Sequence, residues 1–288
     1  MNKKKILITG KNSYIGTSFM KWVSRWPDQY ETEAISVRGE EWKNHDFSQY
    51  DVILHVAGIA HVSANPKMEQ EYFRVNRDLA IAVAEKAKRE KVKQFIFMSS
   101  IIIYGADGKI GEKKVIKADT EPNPVDFYGK SKLEADLAIQ NLNSKDYKVV
   151  IVRLPMVYGP NCKGNFPKLI KLAQTTPVFP DIDNQRSMIF IDNLCEFLRL
   201  VIDNEKQGIF FPQNKDYVAT KDIIEIVVKS RGKGILFIKF FNPLLKLLSK
   251  KINLLNKVLG NKVYDKNLSS MDFDYNIMEF KESILRSL

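Results

Sequence analysis

Along the first two-thirds of the chain, short apolar runs alternate with longer segments in which apolar positions recur at helical spacing. The runs Lys5–Thr9 (KILIT), Glu33–Val37 (EAISV), Val52–Ala57 (VILHVA), Gln94–Ser100 (QFIFMSS) and Lys148–Leu154 (KVVIVRL) are nearly continuous in apolar character. Strands buried on both faces need that pattern; half-solvated antiparallel strands alternate instead. Between the runs the spacing predicts helices, most clearly over Glu69–Lys91. Strand–helix alternation implies right-handed crossovers, so the expected fold is α/β, a doubly wound parallel sheet.

Beyond Gly159 the rhythm loosens, and Pro160, Pro167, Pro177, Pro180 and Pro212 separate shorter elements. The expected division is residues 1–160 for the sheet domain, with the chain returning to it around 185–205. Residues 161–288 are expected to form a smaller, mostly helical, substrate-binding lobe at the C-terminal edge of the sheet, where such sheets bind ligands.

Charge adds one feature to this picture. The 288 residues carry a net charge of +11, but ten basic residues and one acid lie between Lys229 and Lys266. The rest of the chain is close to neutral, which argues against a nucleic-acid surface and for an anionic small molecule. Within the basic stretch, Asn242 reads as a helix N-cap, Pro243 as the first helical residue and Gly260 as the stop. Leu244, Leu248, Leu255 and Leu259 fall on one face, so the expectation is a helix packed on the second lobe with a solvated basic face. Peripheral contact of the 243–259 helix with anionic lipid is the alternative. Cys162 and Cys195 form no metal or redox motif and read as buried thiols. No stretch approaches the ~20 apolar residues of a membrane span, and the apolar run near the N-terminus is too short for a signal peptide. The protein is expected to be cytoplasmic.

The stretch ILITGKNSYIGTSF follows the first strand and opens the first helix. Gly10, Ser13 and Gly16, three residues apart, suit a tight turn that lets backbone approach a pyrophosphate at a helix N-terminus. Ser13 stands where a middle glycine is usual; it fits if its φ is negative and its side chain turns away. Dinucleotide sites that take NAD place an acid at the end of the second strand. Here Arg38 follows that strand, and its planar fork suits a 2′-phosphate, so NADP(H) is favoured, with NAD(H) the alternative. Asp46 precedes the third strand and is placed to meet the adenine edge.

Tyr128 and Lys132, in DFYGKSKLEAD, are one helical turn apart and share a face. Ser99 and Ser100 end the fourth strand, the edge at which such sheets carry their sites. Ketone reduction needs a proton delivered as hydride arrives. A free tyrosine titrates near pH ~10, and a neighbouring ammonium is expected to lower that value. A serine hydroxyl can hold the substrate oxygen in both redox states.

Six pieces in order, TGKNSYIG, HVAG, FIFMSSIIIYG, EPNPVDFYGKSK, VRLPMVYGP and RSMIFIDNL, resemble the extended short-chain dehydrogenase/reductases of the nucleotide-sugar epimerase/dehydratase family. The resemblance implies a Rossmann sheet, a catalytic set of Ser100, Tyr128 and Lys132, and a homodimer formed by the helices around Glu69–Lys91 and Tyr128–Asn141. It places the cofactor against Gly10, Ser13, Tyr14, Ile15, Gly16, Arg38, Asp46, Phe47, Ala57, Gly58, Asn76, Ser99, Tyr128, Lys132, Pro155 and Val157, with Met156 offering backbone beside Val157. Ser100, Tyr128, Arg186, Asn165 and His61 are the implied contacts to a UDP-sugar, Arg186 and Asn165 at its diphosphate.

Related dehydratases carry an Asp-Glu pair right after the active-site hydroxyl. This chain has Ile101 and Ile102, which cannot shuttle protons, so dehydration is set aside. Arg38 favours a reductase of a UDP-4-keto-6-deoxy-N-acetylhexosamine, as in surface polysaccharide synthesis, over a UDP-sugar 4-epimerase with retained NAD. A non-catalytic dinucleotide sensor on the same fold is the remaining class.

Overall fold

The computed structural model describes residues 3–60 and 65–288. Its chain divides into two units. The first comprises residues 1–105, 121–154 and 194–212, and the second residues 106–120, 155–193 and 213–288. The division therefore falls at Leu154, a few residues before the expected boundary, and the return covers 194–212. The excursion 106–120, grouped with the second unit, has no counterpart in the sequence expectation.

The apolar runs of the first unit form the sheet. Its strands are β1 (Lys4–Thr9), β2 (Tyr30–Ile35), β3 (Val52–His55), β4 (Gln94–Ser100), β5 (Lys148–Leu154) and β6 (Gly208–Phe210). They are hydrogen-bonded in the order β6-β5-β4-β3-β1-β2, every pair parallel. The register sets Thr9 beside Ile35 on one side and His55 on the other, and Ser100 beside Leu154. Chain order reverses at β1, with β2 to one side and β3 to the other. The C-terminal ends of β1 and β3 thus flank the switch point, where open α/β sheets bind ligands.

Helices α1 (Tyr14–Val23), α2 (Glu69–Phe73), α3 (Leu79–Arg89) and α4 (Phe127–Gln140) accompany this sheet. On one face Leu7, Ile53, Phe95, Phe97 and Ile151 meet the small residues Ala80, Ala84 and Ala87 of α3 and Ala135 of α4, all with no exposed surface. Alanines there let the helices approach closely, and burying each large apolar side chain contributes roughly 1.5–3 kcal/mol. The single helix expected over Glu69–Lys91 is interrupted. Arg74–Asp78 forms a π-helical turn between α2 and α3, and Asn76 sits in it, fully buried.

The second unit holds short parallel pairs: Met156–Tyr158 with Met188–Phe190, Val178–Pro180 with Leu236–Ile238, and Val115–Ile116 with Val263–Tyr264. Buried Tyr158 anchors it, its hydroxyl bonded to Ser283 Oγ at 2.6 Å and accepting from Asn214 Nδ2 at 2.9 Å. The long basic helix expected from Asn242 to Gly260 is two short ones, Asn242–Leu248 and Asn253–Leu259. Asn242 caps nothing; its side-chain amide donates to the Asp181 carbonyl at 2.7 Å. The break redirects the leucines. Leu259 is buried, but Leu244 and Leu248 face solvent.

Candidate active site

At the end of β1 the chain turns at Gly10, with φ +125°. A Cβ there would lie 2.9 Å from Ala57 N, in the loop after β3. Only glycine allows both this conformation and this approach. Ser13 has φ −74° and caps α1, its Oγ accepting from Gly16 N at 3.0 Å. A middle glycine is thus replaced by a serine with unstrained backbone whose side chain folds back to the helix. Tyr14 and Ile15, both half-buried, begin α1.

The loop after β3 is clamped from α3's side. Asn76 Oδ1 accepts from Ile59 N at 2.9 Å, and its Nδ2 donates to Ile59 O at 3.0 Å and to Ser131 Oγ at 3.4 Å. Buried polar groups need such partners. Gly58, exposed in this loop, lies close to α4. A Cβ on it would be 3.0 Å from Asn76 Oδ1 and 3.5 Å from Lys132 Nζ. Gly10, Ala57, Gly58, Asn76 and Lys132 therefore line one corner of the sheet edge.

Tyr128 reaches this edge because α4 starts close to the end of β4. Asp126 caps α4, accepting from Gly129 N at 2.8 Å. A Cβ at Gly129 would strike Pro124 Cβ at 2.8 Å and lie 3.2 Å from Ile102 O. Glycine lets the first turn of α4 pack on the 3-10 turn Ile101–Tyr104, whose N-cap is Ser100. Ser100, whose Oγ accepts from Ile102 N at 3.3 Å, is thereby brought close to the Tyr128 hydroxyl. Tyr72, fully buried, packs edge-to-face on Tyr128 with ring centroids 5.7 Å apart.

Tyr128 is pushed up to about 12. Burial of its hydroxyl is the main cause, Ser100 pulls the other way, and Tyr72 and Asp126 add to the rise. This is opposite to the lowering expected from a neighbouring ammonium. The Lys132 head group is committed elsewhere: Nζ donates to Met98 O at 2.8 Å and lies 4.7 Å from the centre of the Phe97 ring. Burial draws Lys132 down to about 8, with Asp136 opposing.

Beneath the pair lies a buried network that sequence reading missed. Asp136, one turn beyond Lys132, accepts Arg153 Nε and Nη2, both at 3.0 Å, Ser99 Oγ at 2.6 Å and Gln140 Nε2 at 2.5 Å. Arg153 Nη1 also donates to Tyr104 OH at 2.6 Å. The hydroxyl of Ser99 thus points into the fold. The available signal was a lone arginine inside the apolar run Lys148–Leu154, since a buried charge requires a partner.

The other expected contacts have partners and surroundings of their own. Arg38 is exposed just beyond β2, its backbone N–H donating to Ser36 Oγ at 3.2 Å. Asp46 is exposed and closes a local turn, accepting from Ser48 N and Oγ; those bonds hold its carboxyl below the usual range. Phe47 is wholly buried and its N–H donates to Glu90 Oε2 at 2.6 Å. Pro155, Val157, Asn165 and Arg186 belong to the second unit. There Arg186 pairs with Asp107 at 3.3 Å and reaches the carbonyls of Asn256 and Gly260, while Asn165 is exposed at a helix start. His61 lies outside the described residues.

Comparison with known proteins bears on this geometry. The family model described as NAD dependent epimerase/dehydratase family matches residues 6–219. A UDP-glucose 4-epimerase of Vibrio cholerae is 29% identical over 77% of this chain and 74% of its own. An N-acetyl-alpha-D-glucosaminyl-diphospho-ditrans,octacis-undecaprenol 4-epimerase of Escherichia coli O157:H7 is 23% identical over 80% of this chain and 70% of its own. Among solved structures, UDP-glucuronic acid 4-epimerase from Bacillus cereus, in complex with UDP-glucuronic acid and NAD, superposes with TM-score 0.74. It is 21% identical and the match covers 98% of this chain and 97% of that one.

Proposed function

We propose a reaction for this chain, which belongs to the NAD dependent epimerase/dehydratase family: NAD(P)-dependent hydride transfer at C4 of a UDP-sugar, in the direction that reduces a UDP-4-keto-6-deoxy-N-acetylhexosamine. The observation that carries this reading is the placement of Ser100 close to Tyr128, with Lys132 one turn on, at the C-terminal edge of a parallel sheet. The corner made by Gly10, Ala57 and Gly58 fits a dinucleotide, because its backbone leaves no room for a Cβ at Gly10. Bound there, the dinucleotide supplies the hydride.

The chain's own residues supply the rest. Tyr128, held near 12, keeps its proton at neutral pH and can give it to the C4 oxygen, acting as general acid. Ser100 lies beside that phenol and can hold the same oxygen. Lys132, near 8, is mostly an ammonium at neutral pH and would stabilise the phenolate left after proton transfer. A tyrosine that rests protonated suits reduction, whereas oxidation of an alcohol would have to start from phenolate. Ile101 and Ile102 offer no acid or base for eliminating water. Exposed Arg38 at the end of β2 supports NADP(H) as the reductant.

A second reading, 4-epimerisation with retained NAD, is favoured by the Vibrio cholerae relative. One experiment separates the two. The protein is given UDP-4-keto-6-deoxy-N-acetylhexosamine with NADPH or NADH, and separately UDP-N-acetylglucosamine with NAD. Proton NMR identifies products while absorbance follows the cofactor. Reduction predicts one NADPH oxidised per sugar and little epimer exchange. Exchange of C4 epimers without net cofactor oxidation would establish the second reading instead.

A further inference from the structure

The segment Leu236–Ile252 of the second unit leaves a band of large apolar side chains in solvent. Phe240 is 83% exposed and Leu247 61%; Phe241, Leu244, Leu248 and Ile252 are also exposed. Phe240, Leu244 and Leu248 follow one another at intervals of four, and Leu247 stands beside them, so the band is one face of the helix Asn242–Leu248 and its lead-in. Phe240 and Phe241 pack edge-to-face, with centroids 5.3 Å apart. The outward orientation is fixed from behind. Asn242 donates to Asp181 O, Ser249 is buried, and Asn256 Nδ2 donates to Ser249 O at 2.8 Å.

Charge identifies what would cover this band. Lys229 to Lys257 contains eight basic residues and no acid. Lys246, Lys250 and Lys251 are exposed beside the leucines and make no ion pair among the described residues. A second copy of the chain is a poor occupant: a two-fold contact brings the same patch together and would set lysines against lysines. Phenylalanine and leucine outward with lysines along the flank is the arrangement of segments that lie in the plane of a membrane surface. Lysine stems can follow the apolar boundary while their heads reach anionic headgroups.

We propose that Leu236–Ile252 docks the protein on an anionic lipid bilayer, the Phe240–Leu248 face entering the headgroup boundary and Lys246, Lys250 and Lys251 pairing with lipid phosphates. The inference is independent of the reaction assigned above.

Vesicle flotation of the full chain tests it, with phosphatidylcholine alone and with phosphatidylcholine containing phosphatidylglycerol. The wild-type protein floats with the anionic vesicles, stays behind with the neutral ones, and is released by added salt. Phe240→Ser with Leu247→Ser, and separately Lys246→Glu with Lys250→Glu and Lys251→Glu, each weaken partitioning by at least about tenfold. Both variants change exposed side chains, and circular dichroism checks that the fold is kept. Wild-type protein that ignores anionic vesicles overturns the proposal. So does flotation unaffected by both variants, or self-association that Phe240→Ser with Leu247→Ser abolishes while no vesicle binding is seen.

Discussion

At the scale of single residues, function rests on where hydroxyls and charges are committed. Ser99 and Ser100 are adjacent and chemically alike, yet Ser99 donates to buried Asp136 while Ser100 meets Tyr128. The sequence placed both at the sheet edge, and only the pleat separates their roles, because neighbouring strand residues point to opposite faces. Tyr128 and Lys132 were legible from their spacing. The direction of the Tyr128 shift was not, since it depends on burial and on the ammonium's bond to Met98. Arg38 stands free of such commitments in its side chain and is the residue on which the proposed preference for NADP(H) rests. Arg38→Ala is expected to weaken NADPH binding at least tenfold, the value of about 1.5–3 kcal/mol for a charge-assisted hydrogen bond, and to leave NADH binding unchanged. Fluorescence titration with both cofactors measures this; equal wild-type affinities would remove the preference for NADP(H).

At the scale of elements, strands β1, β4 and β5 were readable almost to the residue because continuous apolar runs have one interpretation in a parallel sheet. The short edge strand β6 was not singled out, as three residues carry no period. The π turn at Asn76 was also hidden, since helix-forming residues continue through it. The Asp136–Arg153 pair ties α4 to β5, and with Ser99 to β4. Asp136→Ala leaves a buried guanidinium unpaired and is expected to cost about 3–5 kcal/mol, read as a lower denaturant midpoint. A loss under about 1 kcal/mol would mean that Arg153 finds water or another partner.

His55, which ends β3, gives this sheet a pH dependence. It is fully buried between Phe95 and Phe97, with Nδ1 2.7 Å from Thr9 Oγ1. Burial, and then Lys132, hold it down to about 3 from an ordinary 6.5. The folded state therefore keeps a neutral imidazole where the unfolded chain takes up a proton. Stability from this group is present above pH 6.5 and is lost progressively as the pH falls toward 3. His55→Gln should flatten that acid limb in unfolding measurements between those values; an unchanged limb would assign it to other groups.

At the scale of the whole molecule, two units, an oxidoreductase edge and a basic apolar band share one chain. Among the described residues no helix is long and apolar enough to cross a membrane. The Arg77–Glu134 ion pair at 2.7 Å joins the π turn before α3 to α4, and Leu137 of α4 is exposed; the family resemblance assigns these helices to a homodimer. Sedimentation is expected to give a dimer that Leu137→Glu dissociates; a wild-type monomer at working concentration would contradict it.

The central claim is that Tyr128 delivers the proton that accompanies hydride transfer at the sugar. Turnover of the 4-keto UDP-sugar by wild type and Tyr128→Phe, with cofactor binding checked by fluorescence, tests it most directly. The variant is expected to bind cofactor as before and to lose about 10²–10⁴-fold in kcat, the usual contribution of a general acid. Turnover within a few-fold of wild type would take Tyr128 out of the mechanism and contradict the account.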